Sequence, residues 1–271
     1  MQVIYKSHSL NLSQKLRKLV WIVSVILAGV SVSLGCVAAG ERLPAIKVAT
    51  ASNFLLPIQH LQSKFEQKTG YKIKIIAGST AKLYAQIVNG APYDVFLSAD
   101  KISPQKLVEK NKALASDQFI YAQGRLVLWS TNKTFSDSEA LTIAFKQGQF
   151  KRIALANPKT APYGRAAIET LAYFNVKVPR NRQIMGESVG QTFQFVDSAN
   201  VDMGFVAYSQ LKSLSRQKGA YWLLPESSYS PIAQYGLILV NSRKNPAARA
   251  FVQYLTSPEV KALLKDKFGY L

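Results

Sequence analysis

The stretch Ile46-Lys-Val-Ala-Thr-Ala-Ser-Asn-Phe54 passes from a short apolar-rich strand, residues 46–49, into a small polar turn. Residues 54–68 then place Leu55, Ile58, Leu61 and Phe65 on one helical face. Strand, polar turn and helix form a unit that recurs downstream. Gly70 stops the helix, residues 72–77 alternate as a strand, Gly78-Ser79-Thr80 turns the chain, and Leu83, Ile87 and Val88 mark a second helix. Residues 95–98 read as a buried strand, and residues 104–110 as a helix with Ser103 as N-cap and Pro104 at its first position. Strands alternating with helices predict an α/β fold of mainly parallel sheets flanked by helices.

After a longer alternating stretch, residues 119–130, the same grammar returns. The pattern predicts helices over 138–146, 165–174 and 189–197, strands over 152–156, 183–185, 203–206 and 221–224, and a polar turn over 157–164. An apolar segment, 232–240, precedes two helices at 247–255 and 258–267. Neither an internal repeat nor a low-complexity linker separates the halves. Two lobes must therefore be joined by ordered strands, for which residues 121–126 and 230–236 are the candidates. The expected division is 40–123 with 233–271 for the first lobe and 124–232 for the second, with a hinge between them.

Residues 1–39 have the order of a secretory signal peptide: Lys6, Lys15, Arg17 and Lys18 without an acid, then an apolar run from Leu19 to Gly35, then the small residues Ala38 and Ala39. The run is shorter than the roughly 20 residues of a spanning helix and contains Ser24, Ser31 and Ser33. Cleavage near Ala39 and a periplasmic location are expected. The alternative is lipid tethering at Cys36, although Ser33-Leu-Gly-Cys36 matches a lipoprotein processing site poorly. Loss of the signal takes the formal charge from +19 to +15 and removes His8 and Cys36, which leaves His60 as the sole histidine and no thiol. The cations are scattered in pairs such as Lys72/Lys74, Arg180/Arg182 and Arg216/Lys218 rather than gathered in a stripe. Together with export, this argues against nucleic acid as a partner.

Four turns share one property: each sets small hydroxyl, amide or glycine residues between a strand's carboxyl end and a helix's amino end. They are Ser52-Asn53, Gly78-Ser79-Thr80, Ala161-Pro-Tyr-Gly164 and Glu187-Ser-Val-Gly190. Unpaired N–H groups and the positive end of the helix dipole collect there, so an anion can be held without a cationic side chain. Ligands of open α/β sheets also sit at strand carboxyl ends. Taken singly, Ser52, Ser79 and Ser188 fit ordinary N-caps; four such turns together point to a site. Tyr163, between Pro162 and Gly164, fits either a packed ring or a hydroxyl donor. Asp94, Asp100 and Asp197 form no spaced carboxylate pair, and the soft or imidazole ligands of a zinc centre are missing. Serine hydrolysis needs a base that only His60 could supply, and neither a nucleophile elbow nor a phosphate loop is present. A protein that is not an enzyme and carries no cofactor is expected.

The chain resembles the periplasmic molybdate-binding proteins of ABC importers, most densely in Val48-Ala-Thr-Ala-Ser-Asn-Phe54, Ala77-Gly-Ser-Thr80, Ala85-Gln-Ile-Val-Asn-Gly-Ala-Pro-Tyr-Asp-Val-Phe-Leu-Ser-Ala-Asp100, Ala161-Pro-Tyr-Gly164 and Gly204-Phe-Val-Ala207. The resemblance implies a type II periplasmic binding-protein fold, with two α/β lobes, two hinge strands and a tetrahedral oxyanion in the cleft. It implies a monomer that captures molybdate or tungstate and delivers it to a membrane permease and its ATPase. Binding positions carry over to Ser52, Asn53, Ser79, Tyr163 and the N–H of Val189. Some members use a tyrosine just after the Gly-x-Val strand, where this chain has Ala207 followed by Tyr208; Tyr163 fits the other pattern. A sulfate, phosphate or other oxyanion receptor on the same fold, or an exported enzyme reusing it, are the alternatives.

Overall fold

A computed structural model describes residues 45–215 and 218–271. The expected signal segment, Cys36 and Arg216 lie outside the described residues. Among the described residues no helix is long and apolar enough to cross a membrane.

The first sheet has the order β2-β1-β3-β10-β4, built from β1 (Ala45–Ala51), β2 (Lys72–Gly78), β3 (Val95–Ser98), β4 (Ala113–Gly124) and β10 (Ile232–Leu239). The second has the order β7-β6-β8-β5-β9, built from β5 (Leu126–Ser130), β6 (Ile153–Ala156), β7 (Gln183–Gly186), β8 (Met203–Ala207) and β9 (Ala220–Leu223). In each sheet the first three strands are parallel, and the others run antiparallel to their neighbours. Each sheet thus has four strands pointing one way and one running against them, β10 in the first and β5 in the second. The chain leaves the first sheet at Gly124 and enters the second at Leu126; it re-enters the first at Ile232, which pairs with Gly124.

The helices are α1 (Leu55–Thr69), α2 (Thr80–Val88), α3 (Ile102–Glu109), α4 (Ser138–Lys146), α5 (Pro162–Tyr173), α6 (Val189–Asp197), α7 (Tyr208–Lys212), α8 (Pro246–Leu255) and α9 (Pro258–Phe268). Their ends follow local chemistry. Gly70 closes α1 in the left-handed region, at φ 76°, where a side chain would be strained. Asp137 caps α4 by accepting from Ala140, and α8 and α9 each begin with Asn or Ser followed by Pro. Buried strands such as β3 and β6 have all four residues inside, as parallel strands covered on both faces require. Phe54, Ile58, Leu61 and Phe65 pack under α8 and α9 beside the first sheet, and Phe145, Leu155 and Phe205 lie in the core of the second.

Four expectations change. The helix placed at 104–110 starts at Ile102, and Asp100 rather than Ser103 supplies the cap, its carboxylate accepting the Ser103 N–H at 3.0 Å. The alternating stretch 119–130 is two strands broken at Arg125, the first beginning at Ala113. The helix placed at 165–174 begins at Pro162, so Tyr163 stands in a helical first turn. The short helix α7 follows β8 where no helix was expected.

Candidate functional site

The four turns follow β1, β2, β6 and β7, four of the strands that pair in parallel, and hydrogen bonds join the turns of one sheet to those of the other. Ser52 Oγ accepts the N–H of Gly190 at 3.1 Å, which joins the first turn to the fourth. The Ala81 N–H donates to the Thr160 carbonyl at 3.1 Å, joining the second to the third. Thr160 Oγ1 donates to the Glu187 carbonyl at 3.3 Å, and Lys82 pairs with Glu187 at 3.4 Å. On the far rim Arg165 Nη2 meets Asp100 Oδ2 at 2.7 Å. An open groove of about 490 Å³, lined by Ser52, Gly78, Ser188, Gly190 and Gln210 among others, forms one mouth of this meeting place. A depression of similar size, about 480 Å³, lies by Tyr121, Lys261 and Lys265 and includes none of the helix starts.

Ser52 opens a 3-10 turn ahead of α1 and is half-buried. Asn53 is 1% exposed; its Nδ2 donates to Gln234 Oε1 at 2.8 Å and to the Tyr270 hydroxyl at 3.1 Å. The Asn53 carbonyl accepts from Ser209 Oγ at 2.9 Å. The Asn53 side-chain nitrogen is thereby tied to β10 and to Tyr270. Ser79, 5% exposed, stands at the N-cap of α2 but makes no capping hydrogen bond, so its hydroxyl is not spent on its own helix. Val189 is the first residue of α6, where an N–H has no acceptor within the helix. Ser188 is an ordinary cap, accepting from Gln191 at 3.3 Å.

Tyr163 is 1% exposed, and its hydroxyl, like Asn53 Oδ1, is buried with no hydrogen-bond partner among the described residues. Buried polar atoms are seldom left unpaired, since each costs about 1–3 kcal/mol. Burial first, then the neighbouring tyrosines, pushes the Tyr163 phenol well above its ordinary value, while Asn53 opposes the rise. The phenol stays protonated and able to donate. Gly124, at the crossover, makes its place: a Cβ there would overlap the Tyr163 hydroxyl and come within 3.1 Å of Gln234 Nε2.

All five sequence-predicted positions thus lie on turns that the fold brings together, and none carries a charge. His60 is elsewhere, against Phe268 and within 3.3 Å of Lys267 Nζ; burial, then Lys267 and Lys64, lower its pKa. Tyr208 packs beside Arg125 and Tyr221. Among the described residues no group of three or more His, Cys, Asp or Glu is placed to hold a metal cation.

The family model for bacterial extracellular solute-binding proteins matches residues 46–271. The chain belongs to that family. This solute-binding protein is 39% identical over 243 residues to the molybdate-binding protein ModA of Azotobacter vinelandii, covering 89% of this chain and 95% of the relative. It is 35% identical over 235 residues to ModA of Rhodobacter capsulatus, covering 86% and 89%. The solved structure of the Azotobacter vinelandii periplasmic molybdate-binding protein superposes with a TM-score of 0.77 at 36% identity, covering 83% of this chain and 98% of that one. The two-lobed α/β fold with flanking helices matches this likeness.

What sequence reasoning missed in this solute-binding protein stands behind the five positions. Gly124, Gln234 and Tyr270 hold Asn53 and Tyr163 in place, over separations of up to 217 residues. Two signals were present: a glycine closing a strand implies close approach of another group, and a glutamine inside an apolar run implies a buried partner.

Proposed function

We propose that this solute-binding protein captures molybdate, and tungstate of nearly equal size, between its lobes outside the cytoplasmic membrane and presents it to the permease and ATPase of an ABC importer. It acts as a monomer and performs no covalent chemistry. Residues 1–39 serve as a cleavable export signal, with tethering at Cys36 as the alternative, and residues 40–123 with 233–271 move against 124–232. The observation that carries the reading is the Tyr163 hydroxyl in the first turn of α5, buried beside Gly124 at the crossover between the sheets with no hydrogen-bond partner among the described residues. The two relatives above 30% identity, both named molybdate-binding, supply the ligand.

Ser52, Ser79 and Tyr163 would donate through hydroxyls, and Asn53 and Val189 through backbone N–H groups. Such a cage suits a fully ionised dianion, because each of the five positions offers a donor and none of them is a carboxylate that could accept a proton from hydrogen phosphate. The starts of α2, α5 and α6 contribute partial positive charge without a counter-ion that would have to be expelled. Selection against sulfate follows from size, since the longer metal–oxygen bonds need a wider ring of donors. Closure is a population shift: the ligand stabilises the closed form because only there do both lobes reach it.

Thermal unfolding of residues 40–271 with molybdate, tungstate, sulfate or phosphate at matched ionic strength tests this. A ligand at about 100 times its Kd stabilises by about 2.7 kcal/mol. A rise in Tm with molybdate and tungstate alone is expected; a rise with sulfate or phosphate only would replace the ligand, and no response to any would end the reading.

A further inference from the structure

The Ser52–Gly190 contact does more than join two turns. Gly190 is the second residue of α6, so its N–H also lacks an intrahelical acceptor, and it is given to Ser52 Oγ from the other lobe at 3.1 Å. Accepting that bond with a lone pair leaves the Ser52 O–H free and turns it away from α6. A Cβ on Gly190 would stand 3.0 Å from Ser52 Cβ and 3.4 Å from Ser52 Oγ. Ser52 Cβ is fixed to the backbone of the turn after β1, so relief requires the two turns to move apart by a few tenths of an ångström rather than a side chain to turn. Glycine is not demanded here by backbone angle, since Gly190 has no left-handed φ. In a helix it is a poorer choice than alanine. Close approach of the other lobe is the remaining reason for it.

We propose that Gly190 is a positioning residue for closure: its missing side chain lets the lobes meet, and its N–H orients the Ser52 hydroxyl so that it donates to the bound anion only in the closed form. The inference rests on the oxyanion reading above and adds a residue that does not touch the anion. Because apparent Kd scales inversely with the population of the competent state, a substitution that reduces closure tenfold weakens binding about tenfold.

The test is molybdate binding by calorimetry and stopped flow with wild type, Gly190→Ala, Ser52→Gly and the double variant. Gly190→Ala is expected to keep or raise the ligand-free Tm, because alanine favours the helix, yet to bind molybdate about tenfold more weakly with faster release. In the Ser52→Gly background, where the opposing Cβ is gone, adding Gly190→Ala is expected to change affinity less than about twofold, the non-additivity of residues in contact. Unchanged affinity in Gly190→Ala, or an equal loss in both backgrounds, overturns the proposal. Failure of the wild type to bind molybdate would instead remove the oxyanion reading itself.

Discussion

Replacing Tyr163 by Phe removes one oxygen and keeps the ring, and the structure sets opposite signs for its two effects. The hydroxyl has no hydrogen-bond partner among the described residues, so its loss removes no contact within the protein, and the variant without molybdate is expected to be as stable as wild type or more so. With the anion bound, the same hydroxyl is one of the donors. A hydrogen bond to a charged group contributes about 1.5–3 kcal/mol, which corresponds to a roughly 10- to 150-fold weaker Kd. At a molybdate concentration of about 100 times the wild-type Kd, the wild type gains about 2.7 kcal/mol, whereas a variant weakened 30-fold gains only about 0.9 kcal/mol. Calorimetry gives the Kd, and scanning fluorimetry with and without molybdate gives both Tm values. A variant that binds molybdate as tightly as wild type, or that loses ligand-free stability in step with affinity, would refute the assignment of this hydroxyl.

Gly124→Ala is expected to destabilise the protein by about 1–3 kcal/mol and to weaken binding, because the new methyl takes the place of the Tyr163 hydroxyl. Adding Tyr163→Phe should recover part of the lost stability, which urea unfolding of the single and double variants would measure. Burial pushes the phenols of Tyr121, Tyr163 and Tyr270 above their ordinary value. The unfolded chain then releases these protons from about pH 10 while the native protein retains them, so the native form binds more protons and stability falls as pH rises. Three such groups give a slope of up to about 4 kcal/mol per pH unit above pH 10, and no loss from this source below about pH 9; Tm measured from pH 7 to 11 checks it.

Much of the architecture was legible because its signals are local. The helices Ser138–Lys146 and Val189–Asp197 stand where the sequence placed them, each opened by a polar cap and carried by an apolar stripe. The start of Pro162–Tyr173 was misplaced because Ala161-Pro-Tyr-Gly164 has the composition of a turn, while proline at a first helical position serves equally well. The one reversed strand in each sheet, β10 and β5, was not legible, because the apolar pattern of a strand carries no information on its direction. At the site, the turns were readable as helix starts, but the choice between cap and free donor was not. Ser188 Oγ accepts the Gln191 N–H as a cap, and Ser79 makes no such bond with its own helix, a difference of orientation rather than residue type. Tyr270, Gln234 and Gly124 escaped notice because they act over long sequence separations on groups whose own role had first to be known.

Diffraction from crystals grown with molybdate, with anomalous data collected at the molybdenum edge, would locate the bound anion. One metal peak is expected between the lobes, its oxygens within hydrogen-bonding distance of Ser52 Oγ, Ser79 Oγ, the Tyr163 hydroxyl and the N–H groups of Asn53 and Val189, with no side-chain cation or carboxylate in contact. A peak elsewhere, for instance in the depression by Lys261 and Lys265, or a cleft anion held by Arg165 or Lys82, would contradict it.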